Sequence, residues 1–271
     1  MDAKLERLFD SLRENDGVLV AFSAGVDSTF LLKMAHMVLQ DRAIALTASS
    51  PTAPPGELEA AQAFAAGLGI RHIVLDSHEL SNPSFAQNPV NRCFFCKDEL
   101  YRICRQQADQ LSIATIVDGT NLDDLRDHRP GLKAAKEWGV RHPLVEAEMT
   151  KEDIRRYSRE LNLPTWDKPS SPCLSSRFPY GTEISVERLK QVGDCELFMK
   201  ELGFREFRVR YHGDLARIEV AQTEFCHFFE QATRNAVVEK FKQVGFHYVS
   251  IDLQGYRTGS MNESLSRTPA L

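Results

Sequence analysis

The chain has 271 residues, 42% of them hydrophobic and 26% charged, and 33 Lys and Arg against 38 Asp and Glu give a formal net charge of −5. Such values exclude a disordered or fibrous chain and make two domains the expected organisation. They also argue against a protein that holds nucleic acid by its phosphates, since that task favours a basic surface and no arm rich in Lys or Arg is present.

The first segment, residues 3–14, carries Leu5, Leu8, Phe9 and Leu12 at helical spacing. Near-continuous apolar runs follow at 17–22 (GVLVAF), 43–47 (AIALT), 72–75 (HIVL) and 113–118 (IATIVD), the pattern of parallel strands buried on both faces. Helical periodicity fills the intervals at 28–39, 55–68 and 97–110, so the fold class is α/β, a doubly wound parallel sheet. A further helix at 151–161 has Thr150 as N-cap with Asp153 three residues on, and Pro164 stops its continuation. From 164 to 181 the chain reads PTWDKPSSPCLSSRFPYG, aperiodic and rich in proline, which marks a functional loop and linker. Beyond it a helix at 186–202, a hairpin of 205–211 with 216–220 around His212-Gly213-Asp214, two more helices and a strand at 247–251 predict a small α+β domain. The expected domains are therefore 1–165 for nucleotide binding, 166–182 for the cysteine-bearing loop, and 183–271 for substrate binding and oligomerisation. The tail from Gly255 has little apolar content and is expected to be mobile at its end.

No apolar run approaches the roughly 18 residues of a spanning helix. The opening MDAKLERLFD lacks the basic-then-apolar order of a signal peptide, so the expected compartment is the cytoplasm, with no membrane partner. In that reducing setting Cys93, Cys96, Cys104, Cys173, Cys195 and Cys226 read as metal ligands, catalytic thiols or core residues rather than a disulfide framework.

Directly after the first strand stands Ser23-Ala24-Gly25-Val26-Asp27-Ser28, opening a helix. Small residues there let the backbone approach phosphate oxygens, the first-turn N–H groups point at the anion, and Ser23 and Ser28 offer hydroxyls. Asp27 is then expected to face a magnesium ion bridging phosphates. The alternative is a plain strand-to-helix turn. Ligands of doubly wound sheets lie at the carboxyl ends of strands, which points to Ala48-Ser49-Ser50 and to Asp118-Gly119-Thr120-Asn121 as further site segments.

SAGVDS resembles the S-G-G-x-D-S loop of the PP-loop (N-type) ATP pyrophosphatases. The resemblance implies cleavage of ATP to AMP and pyrophosphate, with AMP activating a carboxyl oxygen. Ala24 stands where that pattern has its first glycine, so a positive φ at this position would carry strain.

Cys93 and Cys96 form a C-x-x-C pair, able to reach one metal or cluster from a single turn, and Cys173 lies between Pro172 and a basic residue, Arg177, that favours thiolate. Three thiolates with one open position suit an iron–sulfur cluster better than a closed zinc site. Cys104, Cys195 and Cys226 sit beside Ile103, Leu197 and Phe225 and read as inert core residues. Lys97 and Arg177 adjoin the reactive cysteines and can lower thiol pKa values or balance cluster charge.

The runs Arg129-Pro130-Gly131-Leu132, Gly139-Val140-Arg141-His142-Pro143-Leu144, Thr150-Lys151, Ile154-Arg155 and Leu163-Pro164-Thr165-Trp166-Asp167-Lys168-Pro169, on to Tyr180-Gly181, resemble the LarE-type sulfur transferases, and the likeness covers the whole chain. That resemblance implies adenylation of pyridinium-3,5-dicarboxylate mononucleotide and its conversion to thiocarboxylates, in assembly of the nickel-pincer nucleotide of lactate racemase. It implies ATP, Mg2+ and a 4Fe-4S cluster held by Cys93, Cys96 and Cys173 as cofactors. It also implies Arg208, Arg210 and Arg177 at the substrate phosphate, Glu196 and Glu219 as cation ligands, a homo-oligomer of hexameric size, and a sulfur source still to be identified. Arg208 and Arg210 alternate on one strand and share a face, although solvated strand charges would look the same.

Three alternatives stay open at this point. Cys173 gives up its own sulfur once; the chain is a PP-loop tRNA thiolase, which would show salt-dependent tRNA affinity; or it is a nucleotide- and metal-sensing regulator, which would bind ATP without releasing pyrophosphate.

Overall fold

The computed structural model describes residues 2–126, 130–169, 171–257 and 260. Arg129 of the RPGL run, Ser170 and the tail positions 258, 259 and 261–271 lie outside the described residues. The chain divides into two compact units: Met1–Ser50, Gly56–Phe85 and Val90–Ser171 form the first, and Pro51–Pro55, Ala86–Pro89 and Pro172–Leu271 the second.

In the first unit, β1 (Val18–Ala21), β2 (Ala43–Ser49), β3 (His72–Asp76) and β4 (Thr115–Asp118) form a parallel sheet in the order β3-β2-β1-β4. Alternate residues of one strand serve opposite faces. Val18 and Val20 enter a core that also takes Leu8 and Leu12 from α1 (Ala3–Arg13), the apolar side of α2 (Val26–Leu39), Ala61 and Ala65 from α3 (Glu57–Gly67), Leu144 from the single-turn α7 (Pro143–Glu146) and Ile154 from α8 (Lys151–Glu160). Leu19 and Ala21 enter the other, with Tyr101, Cys104 and Ala108 of α5 (Arg92–Gln110) and Ala134 and Ala135 of α6 (Gly131–Glu137). Every residue of β1 is buried, which is why its sequence shows no polar alternation. The short α4 (Pro83–Ala86) precedes α5.

The capping expectation for α8 holds: Thr150 accepts from the Asp153 amide and the Asp153 carboxylate accepts from the Thr150 amide. Three boundaries differ from those expected. α5 starts at Arg92 rather than at 97, so Cys93 and Cys96 are in its first turn rather than ahead of it; polar and aromatic residues at 91–96 hide that turn from a periodicity reading. β2 runs on through Ala48 and Ser49, which pair with Leu75 and Asp76 instead of forming a loop. α6 and α7 lie in a stretch to which no helix was assigned, both too short to show a period.

In the second unit, β5 (Phe207–His212) and β6 (Leu215–Val220) form the antiparallel hairpin, and β7 (Tyr248–Ile251) adds parallel to β6. α9 (Val186–Glu201) and α10 (Gln231–Gln243) belong to this unit, and the helix expected between the strands and α10 is a 3-10 segment at Gln222–Phe229. Leu174 of the cysteine loop packs on α9 at Gly193, where an added Cβ would stand 3.3 Å from its Cδ1. The loop is further stitched by Asn88, which is fully buried and donates to the carbonyls of Phe178 (3.3 Å) and Pro179 (2.8 Å) while its own carbonyl accepts from Gly181.

Candidate active site

The turn between β1 and α2 is built by backbone. Ala24 has φ +53°, the left-handed conformation in which only glycine is free of strain, and Gly25 caps α2 with no side chain to satisfy its first-turn amides. Those amides are the donors a phosphate would take. Ser23 and Ser28 face each other, Oγ to Oγ at 3.0 Å, and the Ser23 amide points at Ser28 Oγ, so the two hydroxyls brace the turn. Gly119, after β4, lies against the start of α2: an added Cβ would meet the Ser28 nitrogen at 2.8 Å. Its lack of a side chain serves helix-to-strand packing.

Asp27 is half-buried, with Asn121 Nδ2 donating to Oδ1 at 3.2 Å and the Lys151 ammonium paired to Oδ2. Lys151 is the first residue of α8, and Thr120 and Asn121 stand beside Asp118 on the loop leaving β4. One acidic residue of the phosphate turn is thus met by groups from two later segments.

Asp118 opens the expected site segment after β4, where the sequence alone assigned it no role of its own. It is buried, accepts from Tyr101 Oη at 2.5 Å and from the Thr120 amide at 3.0 Å, faces His142 Nδ1 at 2.7 Å, and lies 3.8 Å from Lys97 Nζ. Burial pushes its carboxyl up, but the His142 hydrogen bond, the Lys97 charge and the Tyr101 hydroxyl outweigh that and hold it well below the usual carboxylate range. Burial alone would lower Lys97, yet Tyr101, Asp118 and the neighbouring Cys96 hold its ammonium firmly protonated. The hub ties the first turns of α5, which bear the C-x-x-C pair, to the carboxyl end of β4. A buried acid at the end of a strand was the one signal in the sequence.

Cys93 is exposed and Cys96 half-exposed on α5. Three residues apart on a helix, they share a side and can serve one metal or cluster. Cys173 is half-buried and begins the 3-10 turn Leu174–Arg177 of the second unit. Among the described residues no group of three or more His, Cys, Asp or Glu gathers to hold a metal ion. Cys104 and Cys195 are buried, and burial pushes the Cys104 thiol up to about 12, so both are inert as expected. Cys226 corrects the expectation: it is exposed, because the 3-10 geometry turns it out while Phe228 turns in.

The charged residues of the second unit are not solvated strand charges. Arg177 is only 1% exposed and grips Glu196 bidentately, Nε to Oε1 and Nη2 to Oε2 both at 2.8 Å. Its remaining nitrogen donates to the carbonyls of Pro172 (2.8 Å) and Cys173 (3.1 Å) and to Ser176 Oγ (2.7 Å). Arg177, expected at the substrate phosphate, holds Glu196 of α9 with two nitrogens and the cysteine loop with the third. Arg208 and Arg210 share the buried face of β5. Arg210 donates to Glu219 at 2.7 Å and to the Ser176 carbonyl at 2.8 Å, and Arg208 lies over the Tyr256 ring at 4.9 Å. Burial and the nearby Arg177 charge lower the Arg208 pKa. Glu196 and Glu219, expected as cation ligands, accept from arginine: Glu196 also takes the Val209 amide at 3.0 Å, and Glu219 has Arg217 3.0 Å from its second oxygen. Among the described residues the cluster is rich in guanidinium groups, with Arg217 beside Arg177, Arg208 and Arg210, and such a face suits an anionic ligand.

The family model described as NAD synthase matches residues 5–93, which include the Ser23–Ser28 turn. The chain is 46% identical over 267 residues to an uncharacterized protein of Synechocystis sp., covering 98% of this chain and 100% of that one. It is 37% identical over 267 residues to the pyridinium-3,5-bisthiocarboxylic acid mononucleotide synthase of Lactiplantibacillus plantarum, covering 97% and 95%. An uncharacterized protein of Methanocaldococcus jannaschii is 30% identical over 260 residues, covering 94% and 98%. With a strained turn of small residues at the head of α2, a thiol on a loop held by arginine, and this likeness along almost the whole chain, the protein belongs to the LarE-type, PP-loop family of ATP-dependent sulfur transferases.

Proposed function

We propose that the protein converts carboxylates of pyridinium-3,5-dicarboxylate mononucleotide into thiocarboxylates, with cleavage of ATP to AMP and pyrophosphate. The observation that carries this reading lies in the second unit. The carbonyl of Cys173 is held by Arg177 and that of Ser176 by Arg210, so the thiol stands on a loop built onto the cationic face of β5. Arg208 and Arg210 then receive the phosphate and the carboxylates of the substrate.

The chemistry runs in two displacements. A substrate carboxylate oxygen attacks the α-phosphorus of ATP, and the bond to pyrophosphate breaks. A sulfur nucleophile then attacks the acyl carbon of the adenylate, and AMP leaves with the electron pair of the C–O bond. The Ser23–Ser28 turn holds the polyphosphate, Asp27 serves the Mg2+ that neutralises it, and Ala48, Ser49, Gly119 and Thr120 border the nucleotide.

Cys93, Cys96 and Cys173 are the residues that would hold a 4Fe-4S cluster, and the one-turn spacing of the α5 pair suits two of its ligands. When bound, the cluster supplies sulfide at an iron with an open coordination position. In a second reading Cys173, half-buried on the loop held by Arg177, donates its own sulfur once. A homo-oligomer of hexameric size, which light scattering would test, and an external sulfur donor belong to the same proposal.

The test is iron and acid-labile sulfide per chain in protein purified without oxygen, together with thiocarboxylate yield. Equal iron and sulfide, lost on replacing any of the three cysteines, supports the cluster. No metal and one thiocarboxylate per chain supports the single-use thiol. A Cys173→Ala variant that still forms thiocarboxylate rejects both.

A further inference from the structure

The conformation of Ala24 is held from outside the turn. Lys168 Nζ donates to the Ala24 carbonyl at 3.0 Å and pairs with Glu57 Oε2, in the first turn of α3, at 2.5 Å. Lys168 is itself placed by α8. Arg155 donates from Nη1 to the Trp166 carbonyl at 2.7 Å and from Nη2 to the Lys168 carbonyl at 2.8 Å, while Arg159 stacks 5.1 Å over the Trp166 ring. Lys151, Arg155 and Arg159 recur every four residues, so one side of α8 reaches both Asp27 and the segment that presents Lys168.

Ala24 occupies a left-handed conformation that strains an L-residue with a Cβ. In a trans peptide the C=O and the following N–H point in opposite directions. An ammonium that grips the Ala24 carbonyl therefore aims the Gly25 N–H away from Lys168, and keeps the negative end of that carbonyl from turning toward a bound phosphate. We infer that Lys168 is a positioning residue for adenylation, holding the Ala24–Gly25 peptide in the orientation that receives the ATP polyphosphate. This rests on the reading of the Ser23–Ser28 turn as the phosphate site, and extends it to a residue some 140 positions away that no motif of the turn contains.

Calorimetric titration of Mg·ATP into the full chain, with a thermal melt of each variant, tests the inference. Lys168→Met is expected to weaken ATP binding about tenfold and Lys168→Arg to restore most of it. Glu57→Gln, which removes the ion pair and leaves the carbonyl bond, is expected to change affinity less than threefold. In an Ala24→Gly background, where the strain is absent, Lys168→Met is expected to cost clearly less than in the parent. Wild-type affinity in a folded Lys168→Met overturns the inference, as does a Glu57→Gln loss equal to that of Lys168→Met. The same loss with and without Ala24→Gly also overturns it. Failure of the wild-type chain to bind ATP would remove the phosphate-site reading and this inference together. Wild-type binding with an unaffected Lys168→Met removes the inference alone.

Discussion

The two regions proposed to receive anions are built by opposite means. In the first unit the phosphate turn uses backbone: small residues, one strained φ, a bare helix start, and side chains that brace rather than reach. In the second unit the cationic face uses long side chains on a strand, held rigid because each guanidinium has a buried carboxylate or carbonyl partner. A backbone site tolerates few letters and so leaves a motif. A side-chain site is made by pairing across elements, and its arginines look in sequence like any charged strand.

The largest expected effects separate the two regions by activity. Asp27→Ala should reduce pyrophosphate release by at least a hundredfold, the range seen when a preorganised electrostatic group is lost, while Cys173→Ala should abolish thiocarboxylate formation and leave pyrophosphate release intact. Asp27→Ala should lose thiocarboxylate formation as well, because sulfur transfer needs the adenylate; loss of pyrophosphate release in Cys173→Ala, or its normal rate in Asp27→Ala, would break the division of labour. Second in size is the stability of the arginine face. Glu196→Ala strands Arg177 in the interior and should cost about 3–5 kcal/mol in denaturant unfolding. An Arg177→Met/Glu196→Leu double variant should recover most of that stability and none of the sulfur transfer, which would show that the pair is kept for the loop it holds.

A smaller effect is set by pH. Burial raises the Asp153 carboxyl, but Lys4 at 2.5 Å and the Thr150 cap outweigh it, bringing it from 3.8 to about 2. A depressed carboxylate stabilises the fold above its unfolded value, and that stability is lost as pH falls through the folded value. The predicted loss, roughly 1–2 kcal/mol between pH 4 and 2, should be missing in Asp153→Asn during acid titration followed by circular dichroism. Smallest of all is Ala24→Gly. Relief of about 1–2 kcal/mol of strain opposes loss of about 0.8 kcal/mol of buried methyl and added chain entropy of about 0.4–1 kcal/mol. The net shift in melting should stay within about 1 kcal/mol, and a larger stabilisation would mean that the methyl packs poorly.

Much of the first unit was legible. The four parallel strands read as apolar runs because both faces of the sheet are covered, and the Thr150 cap read as a local rule. The positive φ at Ala24 followed from one letter that departs from a glycine pattern. The start of α5 was missed because Asn91, Arg92 and Lys97 interrupt its apolar spacing, although that turn carries both cysteines of the pair. Asp118 and Lys168 carried no legible role, since each acts through partners at distant positions: Tyr101 and His142 for one, Ala24 and Glu57 for the other.

By itself the sequence determined the layered order of strands and helices, and it supplied the candidates for the phosphate turn and the sulfur-bearing residues, because each rests on local chemistry: periodicity, cap, small residue or thiol. Only the tertiary structure decided what the charges do. It buried Arg177, Glu196, Arg210 and Glu219 as partners, drew Pro51–Pro55 and Ala86–Pro89 into the second unit, and set Lys168 on the Ala24 carbonyl. A buried charge must find its counter-charge wherever the fold brings one, and that pairing is written in no single stretch of chain.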